Sequence, residues 1–274
     1  MNITQAILLG ILQGLTEFLP VSSSGHLVLL QNFFGLKEPE LLFDVSLHIG
    51  TLAATCMLFY KEIGSILGVL IRLPASLKSS GGFGALFAED EFFRLTVLIV
   101  AGSVPTAILG VLFNEIVHQI FGAVWIVGAM LLVTGTLLYL TRSIRLQARP
   151  RDRMGIKDAL LIGLVQGLAI IPGISRSGST ISAALFLKID RKLAGRFSFL
   201  LSIPAMLGAL AMGLNSSAFG GTASLSAIIF GAVAAGVVGY LALKALLAVV
   251  NRGRLYLFAP YCWITGAVTL LISV

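Results

Sequence analysis

The sequence is poor in charge. Asp, Glu, Lys and Arg make up 11% of the 274 residues, whereas a soluble domain carries about 25%. Hydrophobic residues make up 57%, and the mean hydropathy is +1.00. So few charged side chains cannot cover a water-facing surface of this size. The composition therefore excludes an ordinary soluble domain and predicts a protein whose outer surface faces lipid.

Cysteine is also scarce. The only two, Cys56 and Cys262, lie far apart within apolar runs and lack the spacing of metal ligands. This excludes a disulfide framework and a cysteine metal site. Both residues are expected to be small buried hydrophobic side chains.

Long apolar runs, by contrast, are abundant. A helix needs about 20 apolar residues to cross a bilayer. Six stretches reach that length: about 45–70, 95–113, 120–140, 195–214, 224–249 and 256–274. Four shorter pieces form two pairs, each broken by a loop rich in Pro, Ser and Gly: about 3–18 with 24–36, and 158–171 with 178–188. Such pairs are typical of re-entrant hairpins. Glycines within the spans, among them Gly64, Gly68 and Gly110, are expected to allow close helix packing.

The net charge of +7 has a distribution that indicates membrane topology rather than nucleic-acid binding. Most basic residues fall in alternate loops, above all the run from Arg142 to Lys157. Under the positive-inside rule these loops are cytoplasmic. The alternation holds only if both short pairs are re-entrant, because a spanning member would invert everything that follows it.

The two halves of the chain resemble each other. Gln13-Gly14-Leu15 and Gln166-Gly167-Leu168 each precede a proline and a serine cluster, and Ser-Gly follows at the same spacing. The prediction is an all-α polytopic membrane protein with one membrane domain, 1–274. It consists of two repeats, about 1–150 and 151–274, each a re-entrant helical hairpin plus three transmembrane helices. An odd number of spans inverts the second repeat, so the two loop tips should meet near the bilayer midplane.

The two tips contain the chain's most polar chemistry. Each serine cluster opens an apolar segment, so helix N-termini with free N–H groups should point at the tip. Hydroxyls, an arginine and helix N-termini favour an oxyanion such as phosphate. Charged groups at this depth are costly, which suggests a functional role. The tip residues are Glu17, Ser22, Ser23, Ser24 and His26 in the first loop, and Ser175, Arg176, Ser177, Ser179 and Thr180 in the second.

Structural roles are also open for several of these residues. Ser22 and Ser24 could cap a short helix, and Glu17 could form a buried ion pair with Arg176. Gln13 and Glu17, four residues apart, share a helix face and could hold a divalent cation through their oxygens. His48, in FDVSLHIG, is a weaker candidate for the site and is expected to be a satisfied histidine near the membrane boundary.

The motifs resemble those of a known family. QGLTEFLPVSSSGH at 13–26 and PGISRSGST at 172–180 are similar to the two signature motifs of the bacterial undecaprenyl-diphosphate phosphatases, the bacitracin-resistance family. FDVSLHIGTLAA at 43–54 and FSFLLSIPAMLGA at 197–209 extend the resemblance along the chain. The chain departs from many relatives at Gln13, where they have Glu. That variant weakens any requirement for two carboxylates.

This resemblance implies an enzyme that hydrolyses undecaprenyl diphosphate, a phosphoanhydride, to undecaprenyl phosphate and inorganic phosphate. That reaction recycles the lipid carrier of cell-wall and peptidoglycan synthesis and confers bacitracin resistance. The resemblance also implies a divalent cation, Mg²⁺ or Ca²⁺, a location in the bacterial inner membrane and a site opening to its outer face. The expected partners are the polyprenyl diphosphate and the membrane, with no nucleic acid; a homodimer is left open.

The expected roles combine that resemblance with the chemistry of the residues. Arg176 clamps the phosphates, Ser23 is the nucleophile and His26 is a general base or acid. Glu17, helped by Gln13, holds the metal or orients His26. Direct attack by water activated by His26 or Glu17 stays open beside attack by Ser23. The alternative function is a transporter or flippase for a polyprenyl phosphate, using the same anion site. The expected phosphate-binding residues are Ser22, Ser24, Ser175, Ser177 and Thr180.

Overall fold

The computed structural model describes residues 1–27, 41–79, 82–120, 123–144, 154–214 and 224–273, and every regular element among them is helical. Residues 23–27 form a short helical segment, and 3₁₀ turns cover Thr141–Ser143 and Leu255–Phe258. The α-helices are α1 (Ile3–Phe18), α2 (Leu41–Leu58), α3 (Tyr60–Ser79), α4 (Phe83–Glu89), α5 (Glu91–Ile120), α6 (Val124–Leu140), α7 (Ile156–Leu168), α8 (Arg176–Phe186), α9 (Arg191–Leu214), α10 (Leu225–Asn251) and α11 (Ala259–Ile272).

Among the described residues, five helical stretches are long and apolar enough to cross a membrane, which identifies a multi-pass membrane protein. They are Glu91–Phe113, Val124–Ser143, Arg191–Met212, Leu225–Asn251 and Leu255–Ile272. They match five of the six spans predicted from the sequence. The short segments predicted at 3–18, 158–171 and 178–188 correspond to α1, α7 and α8. Of the segment predicted at 24–36, only the part up to residue 27 lies within the described residues.

The span predicted at 45–70 is not one continuous helix. It breaks between Leu58 and Tyr60, and the two parts are bent by 82°. The break comes just before Lys61 and Glu62, which interrupt an otherwise apolar run. In α3, Tyr60, Leu67 and Ile71 are exposed on one helix face. Hydropathy did not reveal the bend, because both sides of the break remain apolar on average.

Helix α1 has clear start and stop signals. Asn2 accepts a hydrogen bond from the Gln5 N–H at 2.8 Å, and the Gln5 side chain accepts one from the Asn2 N–H at 2.9 Å. This capping box fixes the first turn. The helix ends at Phe18 because Leu19 precedes Pro20 and is extended. The chain therefore leaves the helix one residue after Phe18, which places Glu17 in the last turn.

The helix that precedes each loop packs against a helix from the opposite half of the chain. α1 lies along α10, and α7 lies along α5. A Cβ on Gly10 would meet the Gly231 carbonyl oxygen at 2.3 Å, and one on Gly163 would meet that of Gly102 at 1.9 Å. The backbones therefore touch, and no larger residue fits at either crossing.

Another close crossing joins α6 and α11 through Gly128 and Gly266. A Cβ on Gly128 would lie 2.9 Å from the Gly266 carbonyl oxygen, and one on Gly266 would lie 2.7 Å from that of Gly128. The glycines that the sequence suggested for packing behave differently. Gly64, Gly68 and Gly110 have no described atom within 4 Å of a Cβ position, so that prediction is wrong for all three. Glycine spacing alone did not distinguish a helix crossing from an open helix face.

This contrast gives a stability prediction. Gly163→Ala should destabilise the fold by at least about 1–3 kcal/mol, because its methyl group would overlap the Gly102 backbone. Gly64→Ala is the matched control, since its methyl group enters open space and removes the helix penalty of glycine, about 0.5–1 kcal/mol. Melting temperatures in detergent measure both. Equal melting of the two variants would contradict the crossing.

Candidate active site

The first loop, PVSSSGH, turns sharply at Ser22. This residue has a φ of 68°, in the left-handed region that side chains other than glycine rarely occupy. Its hydroxyl accepts a hydrogen bond from the Gly173 N–H at 3.1 Å and lies 3.4 Å from the Ser24 hydroxyl. The strained turn is thus held by the second loop.

The second loop, PGISRSGST, is held by Thr134 on α6. The Thr134 hydroxyl donates to the Gly173 carbonyl at 2.9 Å and accepts from the Ser175 N–H at 3.1 Å. Gly173 has a φ of 96°, and a Cβ there would meet the Val127 carbonyl oxygen at 2.5 Å. Only glycine fits this turn.

The predicted phosphate-binding hydroxyls of the second loop mostly bond to the protein itself. Ser175 caps α8 by accepting from the Gly178 N–H at 3.1 Å, and Ser177 donates to the Phe18 carbonyl at 2.8 Å. Thr180 donates to the Arg176 carbonyl at 2.8 Å. These bonds start α8, tie it to the end of α1 and fix the direction of Arg176. The capping role weighed for the serines therefore describes Ser175, whereas Ser22 ties the two loops together.

Glu17 is the centre of the site. One carboxylate oxygen, Oε1, accepts from Arg176 Nη2 at 2.6 Å. The other, Oε2, accepts from the Ser23 hydroxyl at 2.7 Å and from the Gln13 amide at 3.0 Å. The Glu17 side chain is 7% exposed and that of Arg176 is 18% exposed. The structure thus joins both loops through the ion pair that the sequence left open, and it confirms that Gln13 and Glu17 share a helix face.

Gln13 brings a histidine into the site. Its amide nitrogen also lies 3.1 Å from His48 Nδ1, and that nitrogen is 3.8 Å from Glu17 Oε2. Both amide hydrogens are therefore used, one on a carboxylate and one on an imidazole nitrogen, which fixes the orientation of the amide. His48, expected to be a satisfied histidine, is satisfied by the Gln13 amide and thereby contacts the site. The residues around His48, FDVSLHIG with Asp44 four residues before it, give no local indication that it contacts Gln13.

Two buried polar atoms at this junction have no hydrogen-bond partner among the described residues. They are Gln13 Oε1 and Arg176 Nη1. Buried polar atoms are nearly always paired, so these two indicate a place for a ligand. One offers an oxygen to a cation, and the other offers N–H donors to an anion. Both belong to side chains that bond to Glu17.

Both ring nitrogens of His26 are bonded to groups outside the Ser23–Glu17 hydrogen bond. Its Nδ1 lies 2.8 Å from the Ser22 carbonyl oxygen and its Nε2 lies 2.6 Å from the Tyr261 hydroxyl. The Ser23 hydroxyl donates to Glu17, so the group placed to receive its proton is Glu17 rather than His26. The expectation that His26 activates Ser23 is not what this arrangement favours.

Four contact residues were missed from the sequence: His48, Thr134, Tyr261 and Cys262. Thr134 and Tyr261 lie within apolar runs and far from the motifs, and the Cys262 thiol donates to the Pro20 carbonyl at 3.3 Å. The sequence signal for such contacts was a polar residue within an apolar span. Each span has several polar residues, so this signal did not identify which of them reach the site.

These features define a class. It is a multi-pass membrane protein in which two loops bury a carboxylate, a serine hydroxyl and an arginine whose second terminal nitrogen is unpaired within the described ranges. The comparison with known families agrees with that class. The profile of the family described as bacitracin resistance protein BacA matches residues 6–268. The chain therefore belongs to the bacitracin resistance protein BacA family.

The chain is similar over its whole length to curated relatives named undecaprenyl-diphosphatase. It is 49% identical to the protein of Desulforapulum autotrophicum over 271 residues, covering 99% of this chain and 98% of the relative. It is 52% identical to that of Desulfosudis oleivorans over 276 residues, 98% of each. The protein of Methanobrevibacter smithii is 41% identical over 280 residues, covering 100% of this chain and 99% of the relative.

Proposed function

We propose that this chain is an integral-membrane phosphatase that hydrolyses undecaprenyl diphosphate to undecaprenyl phosphate and inorganic phosphate. In a bacterium this returns the lipid carrier to cell-wall synthesis and confers resistance to bacitracin. The observation that carries the proposal is the Glu17–Ser23–Arg176 junction, where Arg176 Nη1 has no partner among the described residues. The name shared by the full-length relatives supports the same substrate. Nothing in the comparisons supports the transporter or flippase alternative.

The geometry favours Ser23 as the nucleophile and Glu17 as its base. The Ser23 oxygen attacks the terminal phosphorus, and its proton passes to Glu17 Oε2, 2.7 Å away. The bond from that phosphorus to the bridging oxygen breaks, and its electron pair leaves with undecaprenyl phosphate. Water then attacks the same phosphorus, the bond from phosphorus to Ser23 Oγ breaks, and Oγ takes its proton back from Glu17 as inorganic phosphate leaves. Arg176 neutralises charge on the transferring phosphoryl group through Nη1. Direct attack by water, with Glu17 or His26 as base, would use the same arginine.

The backbone N–H groups at the start of α8, apart from that of Gly178, which Ser175 caps, would assist Arg176. The Ser24 hydroxyl is half-buried, and its one contact with a described residue is a long one, 3.4 Å from Ser22, so it is available to a phosphate oxygen. Ser22, Ser175, Ser177 and Thr180 would act mainly through the loop geometry that they maintain. This differs from direct binding by all five residues, as the sequence had suggested.

The residues present fit a divalent cation that is shared with the substrate. No group of three His, Cys, Asp or Glu side chains suited to a metal occurs in the described ranges. Gln13 Oε1 is buried without a partner among those residues, and Glu17 is beside it, so these two would hold the ion. Mg²⁺ typically takes one or two protein ligands, with phosphate oxygens and water completing its shell. When bound, Mg²⁺ or Ca²⁺ would neutralise charge on the diphosphate.

The test of the proposed function is phosphate release. Purified protein in detergent should release inorganic phosphate from undecaprenyl diphosphate, or from the shorter farnesyl diphosphate, with Mg²⁺ present. Addition of EDTA should lower turnover by about a hundredfold or more, and excess Mg²⁺ should restore it. Absence of phosphate release from both substrates would reject the enzyme. Full activity in EDTA would reject the requirement for a divalent cation but leave the proposed phosphatase activity in place.

We propose that the two halves form an inverted repeat with its basic loops in the cytoplasm and its site opening to the outer face of the inner membrane. Three observations support the repeat. First, α1 crosses α10 as α7 crosses α5, and the glycines at these crossings, Gly10 and Gly163, hold corresponding positions before the two motifs. In addition, α6 and α11 cross where a glycine of each helix meets the backbone of the other. An ion-pair cluster supports placing the N-terminal ends of α3, α5 and α9 at the same depth in the membrane. Arg196 on α9 bonds to Glu91 on α5 at 2.5 Å and lies 3.6 Å from Glu62 on α3.

This topology is open to a direct test. Single cysteines placed at Arg142 and at Leu225, in a background without Cys56 and Cys262, should differ in labelling by a membrane-impermeant maleimide. In whole spheroplasts the cysteine at 225 should label and that at 142 should not, and lysis should expose both. Labelling of both from outside would reject the orientation. A homodimer stays a prediction that this labelling does not address.

A further inference from the structure

The hydrogen bonds of His26 determine which ring nitrogen carries hydrogen. The Ser22 carbonyl oxygen, 2.8 Å from Nδ1, can only accept, so Nδ1 carries the hydrogen. In the neutral ring Nε2 is therefore a bare acceptor. Its partner at 2.6 Å is the Tyr261 hydroxyl, which must donate. The two hydrogen bonds thus assign both the tautomer of His26 and the direction of the Tyr261 bond.

Tyr261 is placed for this contact by the first turn of α11. Its ring is nearly parallel to that of His26, at an interplanar angle of 13° with the centroids 5.7 Å apart. The next residue, Cys262, donates to the Pro20 carbonyl at 3.3 Å. The same helical turn therefore holds the first loop at two points, 235 and 242 residues away in sequence. Tyr261 is 47% exposed and His26 is half-buried, so the pair lies nearer the protein surface than Glu17, whose side chain is 7% exposed.

The site consequently separates two proton-carrying pairs. The Ser23 hydroxyl donates to Glu17 on the inner side, and the Tyr261 hydroxyl donates to His26 nearer the protein surface. We propose that Tyr261 is a positioning residue of this site, whose hydroxyl donates to Nε2 of His26 and fixes the orientation of that imidazole. This inference rests on the proposed phosphatase function. Without that hydroxyl the imidazole keeps only its bond to Ser22 and loses a defined orientation of Nε2.

The test uses Tyr261→Phe, which removes one oxygen atom and keeps the ring. We expect turnover to fall about tenfold, equivalent to about 1.4 kcal/mol, with KM changed by less than about twofold. Selective ¹⁵N labelling of histidine should show the His26 Nε2 resonance shifted in the variant, with His26→Ala used to assign it. An unchanged resonance would overturn the proposal, and so would wild-type turnover.

Two further variants separate positioning from a general structural effect. In a His26→Ala background, Tyr261→Phe should cause no further loss, because the hydroxyl acts through that imidazole. A full additional tenfold loss would overturn the proposal. Tyr139→Phe is the matched control. Tyr139 lies on α6, and its ring contacts Trp263, which shares helix α11 with Tyr261, at 5.3 Å between centroids. It should keep wild-type turnover, and a loss equal to that of Tyr261→Phe would contradict a specific role.

Failure of this inference is distinguishable from failure of the proposed function. If the wild-type protein releases no phosphate, the phosphatase proposal fails, while the ¹⁵N resonance still decides whether Tyr261 bonds to His26. If the wild-type protein is active and the resonance does not respond to Tyr261→Phe, the function stands and the positioning role is rejected.

Discussion

Arg176→Ala is expected to lower phosphate release by at least about a thousandfold, roughly 4 kcal/mol of transition-state stabilisation. Arg176 has two functions at the junction. Its Nη2 binds Glu17 Oε1 at 2.6 Å, and its buried Nη1 has no hydrogen-bond partner in the described part of the chain. Alanine removes the donor for the phosphoryl oxygens and the partner of the Glu17 carboxylate together. Turnover with undecaprenyl diphosphate measures the loss.

Loss of stability must be separated from loss of chemistry in this variant. Alanine leaves the buried Glu17 carboxylate without its cationic partner, at a cost of about 3–5 kcal/mol. A Glu17→Gln change in the same chain removes that charge, so the double variant should regain melting temperature and remain inactive. Arg142→Ala is the matched control, because that arginine lies over the Tyr256 ring, 5.7 Å from its centroid, away from the loops. Near-normal turnover in a folded Arg176→Ala protein would reject the site.

Ser23→Ala tests the nucleophile and should also cost about a thousandfold or more if the Ser23 oxygen attacks phosphorus. The hydroxyl donates to Glu17 Oε2 at 2.7 Å, which is the geometry of a nucleophile and its base. Rapid acid quench of the wild-type reaction followed by peptide mass spectrometry should then find phosphate on Ser23. A loss of only about tenfold, or roughly 1.4 kcal/mol, with no trapped phosphate would instead indicate positioning and attack by water.

The control for Ser23→Ala should remove a buried hydroxyl that has no part in the junction. Ser202 on α9 donates to the Phe199 carbonyl at 2.7 Å within its own helix. Ser202→Ala should therefore retain wild-type turnover. A similar loss in both variants would mean that the assay reports a general effect of removing buried hydroxyls.

The sequence predicted correctly those parts of the fold where polar residues interrupt long apolar stretches. α1 has the predicted bounds, 3–18, because a capping box and a proline mark its ends. The two loops were recognisable because Glu17 and Arg176 are costly at membrane depth. That they meet was an inference from the repeat, and the Glu17–Arg176 bond confirms it.

Other features depend on tertiary packing that no local pattern encodes. The bend after Leu58 lies within apolar sequence, and Gly64 resembles Gly163 although, of the two, Gly163 is the one that touches another described backbone. Tyr261 and His48 reach the site across 235 and 35 residues. Each is an ordinary polar residue near a helix end or on a helix face, and only the assembled structure shows which of them contact the loops.

The glycine crossings have a consequence for how the lipid reaches the site. Because α1 is locked to α10 and α7 to α5 through backbone contact, each loop is fastened to the opposite half of the molecule. A rocking movement of one half against the other would carry Glu17 away from Arg176 and separate these backbones. The diphosphate is therefore expected to reach the site without a rocking movement of one half against the other.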